Sequence, residues 1–396
     1  MGGNMKFIDT EDISGKKLLV RVDYNVPLKN GEIQDDNRIK ASLPTLKLAL
    51  EKNASLVICS HLGKPKGEVK SELSLLPAAR RLGELLETEV SLAPDCVGRE
   101  TLSMAGDLKP GQVLMLENLR FHPGEEKNDP DFSKELAEMG DIYVNDAFGV
   151  SHRAHASVVG VTEYFDLCVG GLLLKKEWEY LSKVVNPARP FILVSGGAKV
   201  SSKLGLLNNL MDKVDAMIIG GAMANTFIKS MGYGVGKSLV EDDLLEDARN
   251  IMQKAREKKV GFYLPVDFIA GEGLDTDEGA ELFPFQDIPE DKMALDIGPA
   301  SCTLFAEVLS KAGTVVWNGP MGAFENRTFA QGSYNIAEFM AGLPAETIAG
   351  GGDTDALIHK LGITEKFSFV STGGGSFMEF LEGKVLPGFR ALEEKE

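Results

Sequence analysis

The stretch FILVSGGAKVSSK, residues 191–203, joins an apolar run to a Gly-Gly pair and two lysines. The apolar run predicts a buried strand, and glycines directly after a strand let backbone N–H groups approach an anion closely. We interpret the residues after the glycines as a helix start, on which Lys199 and Lys203 would share one face. The alternative is an ordinary strand–turn–helix corner with solvated lysines. Taken alone, the stretch predicts an α/β unit and leaves both interpretations open.

The same pattern of an apolar run followed by glycines recurs in the second half of the chain. This recurrence favours the interpretation that the turns bind an anion. Apolar runs followed by glycines or by Asn-Gly-Pro occur in AMIIGGAMANTF (216–227), TVVWNGPMGAFE (314–325), TIAGGGDTDALI (347–358) and FSFVSTGGGSFMEFL (367–381). Ligands of open α/β sheets bind outside the carboxyl ends of the strands. These turns therefore predict a parallel sheet whose carboxyl edge binds phosphates, and a nucleotide is the natural ligand.

The first half alternates strand-like and helix-like stretches. We predict strands at residues 16–23, 55–60, 112–118 and 141–146, and helices around residues 38–52, 75–87 and 132–139. Alternation of this kind is typical of an α/β sheet with helical crossovers.

Polar residues rather than glycines follow the strands of the first half. The cationic or titratable ones are His61, Lys64, Arg120, His122, His152, Arg153 and His155. Each alone is more often a structural hydrogen-bonding group or a surface ion pair. Their coincidence at four successive strand ends predicts a cationic pocket for a small, multiply charged anion. A metal site is disfavoured, because SHRAH (151–155) has no supporting carboxylates or cysteines.

Size and charge narrow the class of protein. A chain of 396 residues predicts two domains. The net charge of −17 argues against a broad nucleic-acid or anionic-membrane surface. The cysteines at 59, 96, 168 and 302 have no metal-binding spacing, and reduced thiols in a cytoplasmic protein are the simplest interpretation. No apolar run approaches the roughly 20 residues of a membrane span.

Two common nucleotide-binding motifs are incomplete or absent in this sequence. MGYGVGKS (231–238) resembles a P-loop, but Met231 stands where the first glycine is required and the stretch follows a helix-like segment. We interpret it as a loop, with Lys237 and Ser238 opening the next helix. The dinucleotide fingerprint GxGxxG follows none of the predicted strands, which weakens an oxidoreductase hypothesis.

Motifs along essentially the whole chain resemble, in order, those of the phosphoglycerate kinases. They are RVDYNVP, DDNRIKASLPT, SHLGKPKG, LLPAARRL, ENLRFHPGEE, NDAFGVSHRAHAS, SGGAKVSSK, IIGGAMANTF, LDIGP, VVWNGPMGAFE, AGGGDT and STGGGS. The resemblance implies two doubly wound, Rossmann-like α/β domains with parallel sheets, joined by a hinge helix. The domains would be a phosphoglycerate-binding domain at 1–170 and a nucleotide-binding domain at 189–378. Residues 171–188 would join them, and the tail at 379–396 would pack back on the first domain.

The resemblance also implies an activity. The enzyme would transfer a phosphoryl group reversibly between 1,3-bisphosphoglycerate and ADP, giving 3-phosphoglycerate and ATP. Transfer would be direct and in line, on domain closure, with Mg²⁺ bound together with the nucleotide. The expected partners are these small molecules alone, with no nucleic acid and no membrane, and the expected form is a cytoplasmic monomer.

Site residues are carried over from the matching motifs. The substrate-binding residues would be Asp23, Asn25, Arg38, His61, Lys64, Arg120 and Arg153. The nucleotide-binding residues would be Gly196, Gly197, Lys203, Gly220, Gly221, Gly298, Asn318, Pro320, Glu325, Gly351, Gly352, Asp353 and Thr354, with Asp353 also holding Mg²⁺. The catalytic residues would be Arg38, Lys199, Gly352 and Gly375.

The chain departs from the family pattern at a few positions. Lys64 stands where arginine is usual, Ala222 where a third glycine is usual, Ala300 where glutamate is common, and Ser376-Phe377 where Ala-Ser is usual. Lysine at position 64 keeps the charge but loses bidentate geometry. Two rival hypotheses remain: a nucleotide-dependent oxidoreductase, and a non-catalytic two-domain binding protein, which need not keep Arg38 together with Lys199.

Overall fold

The chain up to Glu179, together with the chain from Val385 onward, forms one unit, and Tyr180–Lys384 forms a second. The computed structural model describes residues 5–276 and 278–393. The first division falls inside the helix that was predicted to join two domains. Each unit contains a large parallel sheet covered by helices, and the predicted fold class is confirmed.

The sheet of the first unit has the order β5-β6-β4-β1-β7-β8, and all its strands are parallel. The strands of this unit are β1 (Lys17–Val22), β2 (Leu28–Lys29), β3 (Glu32–Ile33), β4 (Ser55–Cys59), β5 (Val90–Leu92), β6 (Val113–Met115), β7 (Ile142–Asp146) and β8 (Cys168–Gly170). The short strands β2 and β3 pair separately as a hairpin. The central strands are buried along almost their whole length, as expected for a parallel sheet with both faces covered.

Helices connect the strands of the first unit, as the alternating pattern predicted. They are α1 (Asn37–Glu51), α2 (Leu76–Leu86), α3 (Arg99–Gly106), α4 (Pro123–Lys127), α5 (Pro130–Ala137) and α6 (Leu172–Val185), with 3₁₀ turns at Ser71–Leu73, Leu119–Phe121, Phe148–Val150 and Gly160–Tyr164. Helix α6 begins where predicted. Its first N–H groups donate to Thr45 and Asp146, which supply the acceptors that a helix N-terminus lacks.

The parallel sheet of the second unit has the order β11-β10-β9-β15-β16-β17. The strands are β9 (Phe191–Ser195), β10 (Ala216–Ile219), β11 (Gly261–Tyr263), β12 (Asp267–Gly271), β13 (Glu281–Pro284), β14 (Met293–Ile297), β15 (Thr314–Asn318), β16 (Glu346–Gly350) and β17 (Phe369–Ser371). Strands β13, β12 and β14 form a separate antiparallel sheet. Each strand-then-glycine turn predicted in this half follows a strand of the parallel sheet.

The helices of this unit alternate with its parallel strands. They are α7 (Leu204–Leu210), α8 (Met223–Ser230), α9 (Leu245–Glu257), α10 (Pro299–Leu309), α11 (Gln331–Ala341), α12 (Gly352–Lys360) and α13 (Gly374–Leu381), with 3₁₀ turns at Asp242–Leu244, Arg327–Ala330 and Thr364–Lys366.

Two predicted helix starts are wrong. Helix α7 begins at Leu204, so Lys199 and Lys203 lie in the preceding turn and not on one helix face. The side chain of Glu241 accepts hydrogen bonds from the backbone and hydroxyl of Ser201, and this keeps the segment out of the helix. Likewise, α9 begins at Leu245, so Lys237 and Ser238 do not open a helix.

The last described segment belongs to the first unit. Helix α14 (Pro387–Glu393) places Phe389 against Trp178, with ring centroids 5.2 Å apart, and against Phe148 at 5.8 Å. The chain thus returns to the unit in which it begins. Among the described residues, no helix combines the length and the apolar character that crossing a membrane requires.

Candidate functional site

In the first unit, the residues that follow β6, β4, β1 and β7 lie at one edge of the sheet. These strands are neighbours and parallel, so their carboxyl ends meet there. The edge is built around His61, which lies two residues after the end of β4 and is only 3% exposed. The four strand ends therefore converge as the sequence predicted.

His61 is surrounded by positive charge. Its Nδ1 lies 3.3 Å from Nη2 of Arg21 and 3.8 Å from a carboxylate oxygen of Asp23. Burial lowers the pKa of His61 well below its usual value, and nearby guanidinium groups lower it further. These groups belong to Arg21, Arg120, Arg38 and Arg153. A neutral imidazole inside a ring of guanidinium groups can donate a hydrogen bond to an anion without adding to the repulsion.

Arg38, in the first turn of α1, is held by the loop after β1. Its Nη1 donates to Asp23 at 2.9 Å and to the backbone oxygen of Asn25 at 3.2 Å. The Asn25 side chain accepts in turn from the backbone nitrogen of Gly63, 2.9 Å away. The structure thus joins three predicted site residues directly and leaves the Arg38 side chain partly exposed.

Arg120 lies in the 3₁₀ turn after β6 and is only 3% exposed. Asn118 fixes this turn by accepting from the backbone nitrogen of Arg120, and one guanidinium nitrogen donates to the backbone oxygen of Gly63 at 2.7 Å. Within the described residues, the buried Nε of Arg120 has no hydrogen-bond partner and lies 3.4 Å from Glu126. Burial lowers the pKa of Arg120, and an anionic ligand would compensate for its desolvation.

Arg21 is the site residue that the sequence analysis missed. It lies within β1, paired in register with Cys59 and Asn145, and is fully buried. Its Nε donates to Ser157, whose hydroxyl donates to the buried Glu125. The signal that could have identified it is an arginine inside an otherwise apolar strand, since a buried charge requires a partner.

Some predicted members of the cationic pocket have other partners. Nε2 of His122 is hydrogen-bonded to Oδ1 of Asp95 at 2.7 Å, and Nδ1 of His155 lies 3.7 Å from Oε1 of Glu125. The Nε of Arg153 is 3.2 Å from Nε2 of His152. Lys64 is exposed, and within the described chain it makes no hydrogen bond or ion pair. Fewer residues than predicted therefore contribute to the cationic pocket, which consists mainly of arginine side chains around His61.

In the second unit, the glycine turns after neighbouring strands contact one another through their backbones. The nitrogen of Gly197 donates to the oxygen of Pro320 at 2.9 Å, and that of Gly221 to the oxygen of Met321 at 2.8 Å. Gly221 has a φ of +66°, and a Cβ atom there would lie 2.5 Å from the nitrogen of Gly197. Only glycine allows turns this close, and the result is a surface of backbone groups at the sheet edge.

Lys203 lies among these turns and is half-buried. Its ammonium donates to Asn318, whose amide donates to the oxygen of Gly350 at 2.6 Å. Burial lowers the pKa of Lys203, while the carboxylates of Asp353 and Glu382 act in the opposite direction. The hydroxyl of Thr354 accepts from Gly319 at 2.7 Å. Lys203, Asn318 and the start of α12 thus form one connected group.

A cavity of about 240 Å³ opens beside this group. Leu239, Leu274, Met293 and Phe324 supply apolar walls, and the predicted residues that line it are Gly197, Gly221, Pro320, Glu325 and Asp353. Gly220 lies next to it, against Met321. Gly298 is not among the lining residues: it follows β14, and its nitrogen donates to the oxygen of Asp267. An apolar cavity with a polar rim suits a flat, uncharged ring attached to a charged group.

The remaining predicted groups stand at exposed ends of this edge. Lys199 is exposed in the turn after β9. Gly352 opens α12 and Gly375 lies in the first turn of α13, and both are exposed. Helix N-termini offer N–H groups to anions. The N-termini of α12 and α13, together with Lys199, can therefore bind further negatively charged groups of a ligand.

The departures from the family pattern have simple structural roles. Phe377 is fully buried with its ring against Gly350, so it fills the core. Ala222 immediately precedes α8, and the nitrogen of Ala300, in the first turn of α10, donates to Asp267 at 2.9 Å. Neither position leaves a polar group of the candidate site without its contacts.

Possible metal ligands differ in position between the two units. Within residues 5–276 and 278–393, the group of three or more histidine, cysteine or carboxylate residues whose ligand atoms all lie within 4.8 Å of one another consists of Asp95, Cys96 and His122, in the first unit. Asp353, the predicted magnesium ligand, is an exposed carboxylate and belongs to no such group among the described residues. A single carboxylate is what Mg²⁺ uses when phosphates and water complete its shell.

The phosphoglycerate kinase family model matches residues 8–384. The phosphoglycerate kinase of Maridesulfovibrio salexigens is 59% identical, and the match covers 98% of this chain and all of that protein. That of Geobacter sp. strain M21 is 52% identical, with 99% of each chain covered.

Solved structures give the same result. The phosphoglycerate kinase of Coxiella burnetii superposes with a TM-score of 0.91 at 42% identity, and that of Pyrococcus horikoshii OT3 with a TM-score of 0.85 at 33% identity. Both comparisons cover 99% of each chain. Relatives and structures therefore match the chain over its full length.

Proposed function

Because the chain belongs to the phosphoglycerate kinase family, it is a phosphotransferase that acts reversibly between 1,3-bisphosphoglycerate and ADP, and we propose that its first unit holds the glycerate and its second unit the nucleotide. The observation that carries this assignment is the group of guanidinium side chains around the buried, neutral His61. A phosphoglycerate carries several negative charges at once, and such a site matches them. The apolar cavity of the second unit matches a nucleotide base.

In the first unit, each group has a proposed role. Arg120, Arg153 and His61 grip the phosphate that is not transferred, and the Nε of Arg120, which makes no hydrogen bond within the described chain, can donate to it. Asp23 and Asn25 contact the glycerate hydroxyl and carboxylate region. Lys64, exposed at the rim, adds positive charge without a fixed geometry. Arg21 is not itself a ligand in this scheme, but it orients His61 from the sheet.

Arg38 has a different role from the other arginines of this unit. It lies by the acyl-phosphate end of the glycerate, where the bond is broken and made. Asp23 and the backbone of Asn25 hold its guanidinium in place before substrate binds. This preorganisation lowers the cost of orienting a long side chain during the reaction.

In the second unit, the nucleotide lies along the glycine turns. The backbone of Gly196, Gly197, Gly220 and Gly221, with Asn318 and Pro320, borders the adenosine, and Glu325 binds the ribose. The resemblance also placed Gly298 at the adenosine pocket, and its position behind Asp267 gives it only an indirect role there. Lys203 and the segment from Gly351 to Thr354 hold the phosphates.

Asp353 would hold Mg²⁺ together with the nucleotide phosphates. Its carboxylate is a hard oxygen ligand in the first turn of α12, next to Lys203 and at the rim of the cavity. When bound, the ion neutralises phosphate charge. The neighbouring ammonium and the α12 N-terminus serve the same purpose from the protein side.

The transferring group meets Lys199, Arg38 and the N–H groups of Gly352 and Gly375. Phosphoryl transfer has a loose transition state with charge on the equatorial oxygens, so positioning and electrostatic stabilisation do most of the catalysis. Transfer is direct and in line, on closure of the domains around both substrates. We propose that the enzyme works as a cytoplasmic monomer.

A coupled assay that measures ADP formation from ATP, with and without 3-phosphoglycerate, tests the activity. We expect turnover that depends on 3-phosphoglycerate and on a divalent cation. A non-catalytic binding protein would bind both ligands in calorimetry without turnover. An oxidoreductase would show saturable binding in a titration with NADH.

The assignment of ligands to units needs separate measurements. Calorimetric titrations with 3-phosphoglycerate alone and with ADP alone, on Arg120→Ala, test it directly. Loss of 3-phosphoglycerate binding with intact ADP binding supports the assignment. Equal loss of both would contradict it.

A further inference from the structure

The turn that carries Lys199 has no regular secondary structure to hold it. Residues 196–203 lie between the end of β9 and the start of α7, and Lys199 is exposed near the middle of this turn. At its far end, Lys203 is tied to Asn318. A catalytic ammonium needs a defined position, because a misplacement of about 1 Å can reduce a rate by about 100-fold. The fixation of Lys199 therefore requires a structural cause.

Glu241 supplies such a fixation from a distant part of the sequence. One of its carboxylate oxygens accepts from the backbone nitrogen of Ser201 at 2.9 Å, and the other from the Ser201 hydroxyl at 2.6 Å. Burial alone would raise the pKa of Glu241, but these bonds and the charge of Lys199 outweigh it and lower the pKa. The carboxylate is therefore ionised at neutral pH and is a strong acceptor.

The segment that presents Glu241 is itself anchored. The nitrogen of Glu241 donates to the hydroxyl of Thr226, a buried residue of α8, at 3.2 Å. Three residues earlier, the hydroxyl of Ser238 accepts from Ala294 of β14 at 2.8 Å. Between these anchors, Leu239 lines the apolar cavity. The same short segment thus forms part of the cavity wall and holds the turn that carries Lys199.

We propose that Glu241 is a positioning residue, which fixes the 196–203 turn through Ser201 and so places the Lys199 ammonium for phosphoryl transfer. This inference rests on the proposed role of Lys199 and adds to it a residue that touches no substrate. Glu241 acts on the rate because the position of Lys199 matters in the transition state. It has little effect on the ground-state affinity for either substrate.

The test is a graded series in the full chain: Glu241→Ala, Glu241→Gln and Ser201→Ala, with Asp243→Asn as the matched control. Asp243 is an exposed acid in the same segment, so its loss changes the net charge equally without touching the turn. We expect kcat to fall about tenfold in Glu241→Ala, with both KM values within about twofold of wild type. Glu241→Gln, which keeps an acceptor oxygen, and Ser201→Ala, which loses only the hydroxyl, should fall in between. Asp243→Asn should match wild type.

A double-variant cycle separates this inference from the proposed function. If Glu241 acts through Lys199, then Glu241→Ala has no further effect on kcat in a Lys199→Ala background. The same loss in both backgrounds, or a normal kcat in Glu241→Ala, overturns the positioning role while leaving Lys199 in place. A normal kcat in Lys199→Ala overturns both. If Glu241→Ala does not fold, as judged by circular dichroism, the cycle is run with Glu241→Gln.

Discussion

The two candidate sites lie at the same place in the same architecture, the carboxyl edge of a parallel sheet, but they are built with different chemistry. In the first unit, the carboxyl edge of the parallel sheet carries buried guanidinium side chains around His61, and Arg120 is only 3% exposed. In the second unit, the equivalent edge carries glycine turns that contact one another through the backbone, and its Lys199 is exposed. The candidate site around His61 is therefore a side-chain site, and the candidate site at the glycine turns of the second unit is mainly a main-chain site.

This difference follows from the proposed ligands. A small glycerate offers little apolar surface, so charge-assisted hydrogen bonds must supply most of its affinity. A nucleotide offers a large ring for the apolar cavity, and its phosphates can be held by N–H groups that need no side chain. The side-chain site requires support from below, which Arg21, Ser157 and Glu125 provide. The main-chain site requires glycines.

The largest effect is expected at Lys199, where the main-chain site depends on one side chain. Lys199→Ala should lower kcat by about 100-fold or more, on the scale of a removed oxyanion donor, with little change in the KM for nucleotide. The reason is the role proposed for Lys199, which is to contact the phosphoryl group only during transfer. Steady-state kinetics on both substrates measures this. A variant with near-normal turnover would remove Lys199 from the mechanism.

Arg153 tests the side-chain site. Arg153→Ala should weaken 3-phosphoglycerate binding by about 1.5–3 kcal/mol, because a charge-assisted phosphate contact is lost. ADP binding should not change. Calorimetry with each ligand alone gives both values, and Arg80→Ala, which removes an exposed arginine of α2 in the same unit, is the matched control. If ADP binding fell equally, the variant would be generally destabilised and the two sites would not be separable.

Gly351 gives the reciprocal test on the main-chain site. Its φ of +107° and ψ of 138° are reserved for glycine, and a Cβ atom there would lie 2.6 Å from Nδ2 of Asn318. Forcing alanine into such a conformation costs about 1–3 kcal/mol, so the turn should shift and ADP affinity should fall about tenfold. Binding of 3-phosphoglycerate should not change.

The control for Gly351→Ala is Gly234→Ala, an exposed position with no atom near the added methyl group and no positive φ. It should bind ADP as wild type does. Calorimetry in which Gly351→Ala keeps full ADP affinity would show that the phosphate turn tolerates a side chain and that the main-chain description is wrong.

The sequence predicted the parts of each site that depend on residue type along the local chain. Arginines and histidines after strands predicted the cationic edge, and repeated glycines after strands predicted the main-chain edge. Both follow from the rule that parallel strands share one carboxyl edge. The structure confirms both sheets, while the roles of the individual residues stay predictions until the variants are measured.

The features that the sequence analysis placed wrongly or missed share a cause: each depends on contacts between residues far apart in sequence. The helix start after Gly197 was placed too early because Glu241 captures the turn through Ser201. The role at the adenosine pocket that the resemblance implies for Gly298 stays a prediction. Gly298 follows β14, a strand of the antiparallel sheet, and local sequence does not distinguish this kind of strand from a parallel one. Arg21 was missed because its partners, His61 and Ser157, come from other strands' loops.

The smallest expected effect is on the pH dependence of folding stability. His61 and His122, both in the first unit, should contribute to it with opposite signs. Burial and four guanidinium groups hold the pKa of His61 well below 6.5. The hydrogen bond with Asp95 raises the pKa of His122 against the effect of burial. His61 and His122 should therefore make opposite contributions to the pH dependence of stability near neutral pH.

The signs follow from proton binding. Below about pH 6.5 the unfolded chain protonates at position 61 and the folded chain does not, so His61 lowers stability as pH falls, by up to about 1.4 kcal/mol per pH unit. For His122 the folded chain holds the proton more tightly, so its stabilisation is complete below pH 6.5 and is lost as pH rises through the raised pKa. Thermal unfolding from pH 5 to 8 should therefore show a smaller loss of stability at acid pH in His61→Gln than in wild type. His122→Gln should show a smaller loss than wild type between pH 6.5 and 8. If His61→Gln follows the wild-type profile at acid pH, His61 is protonated in the folded protein, and the site would then hold an additional positive charge instead of a neutral hydrogen-bond donor.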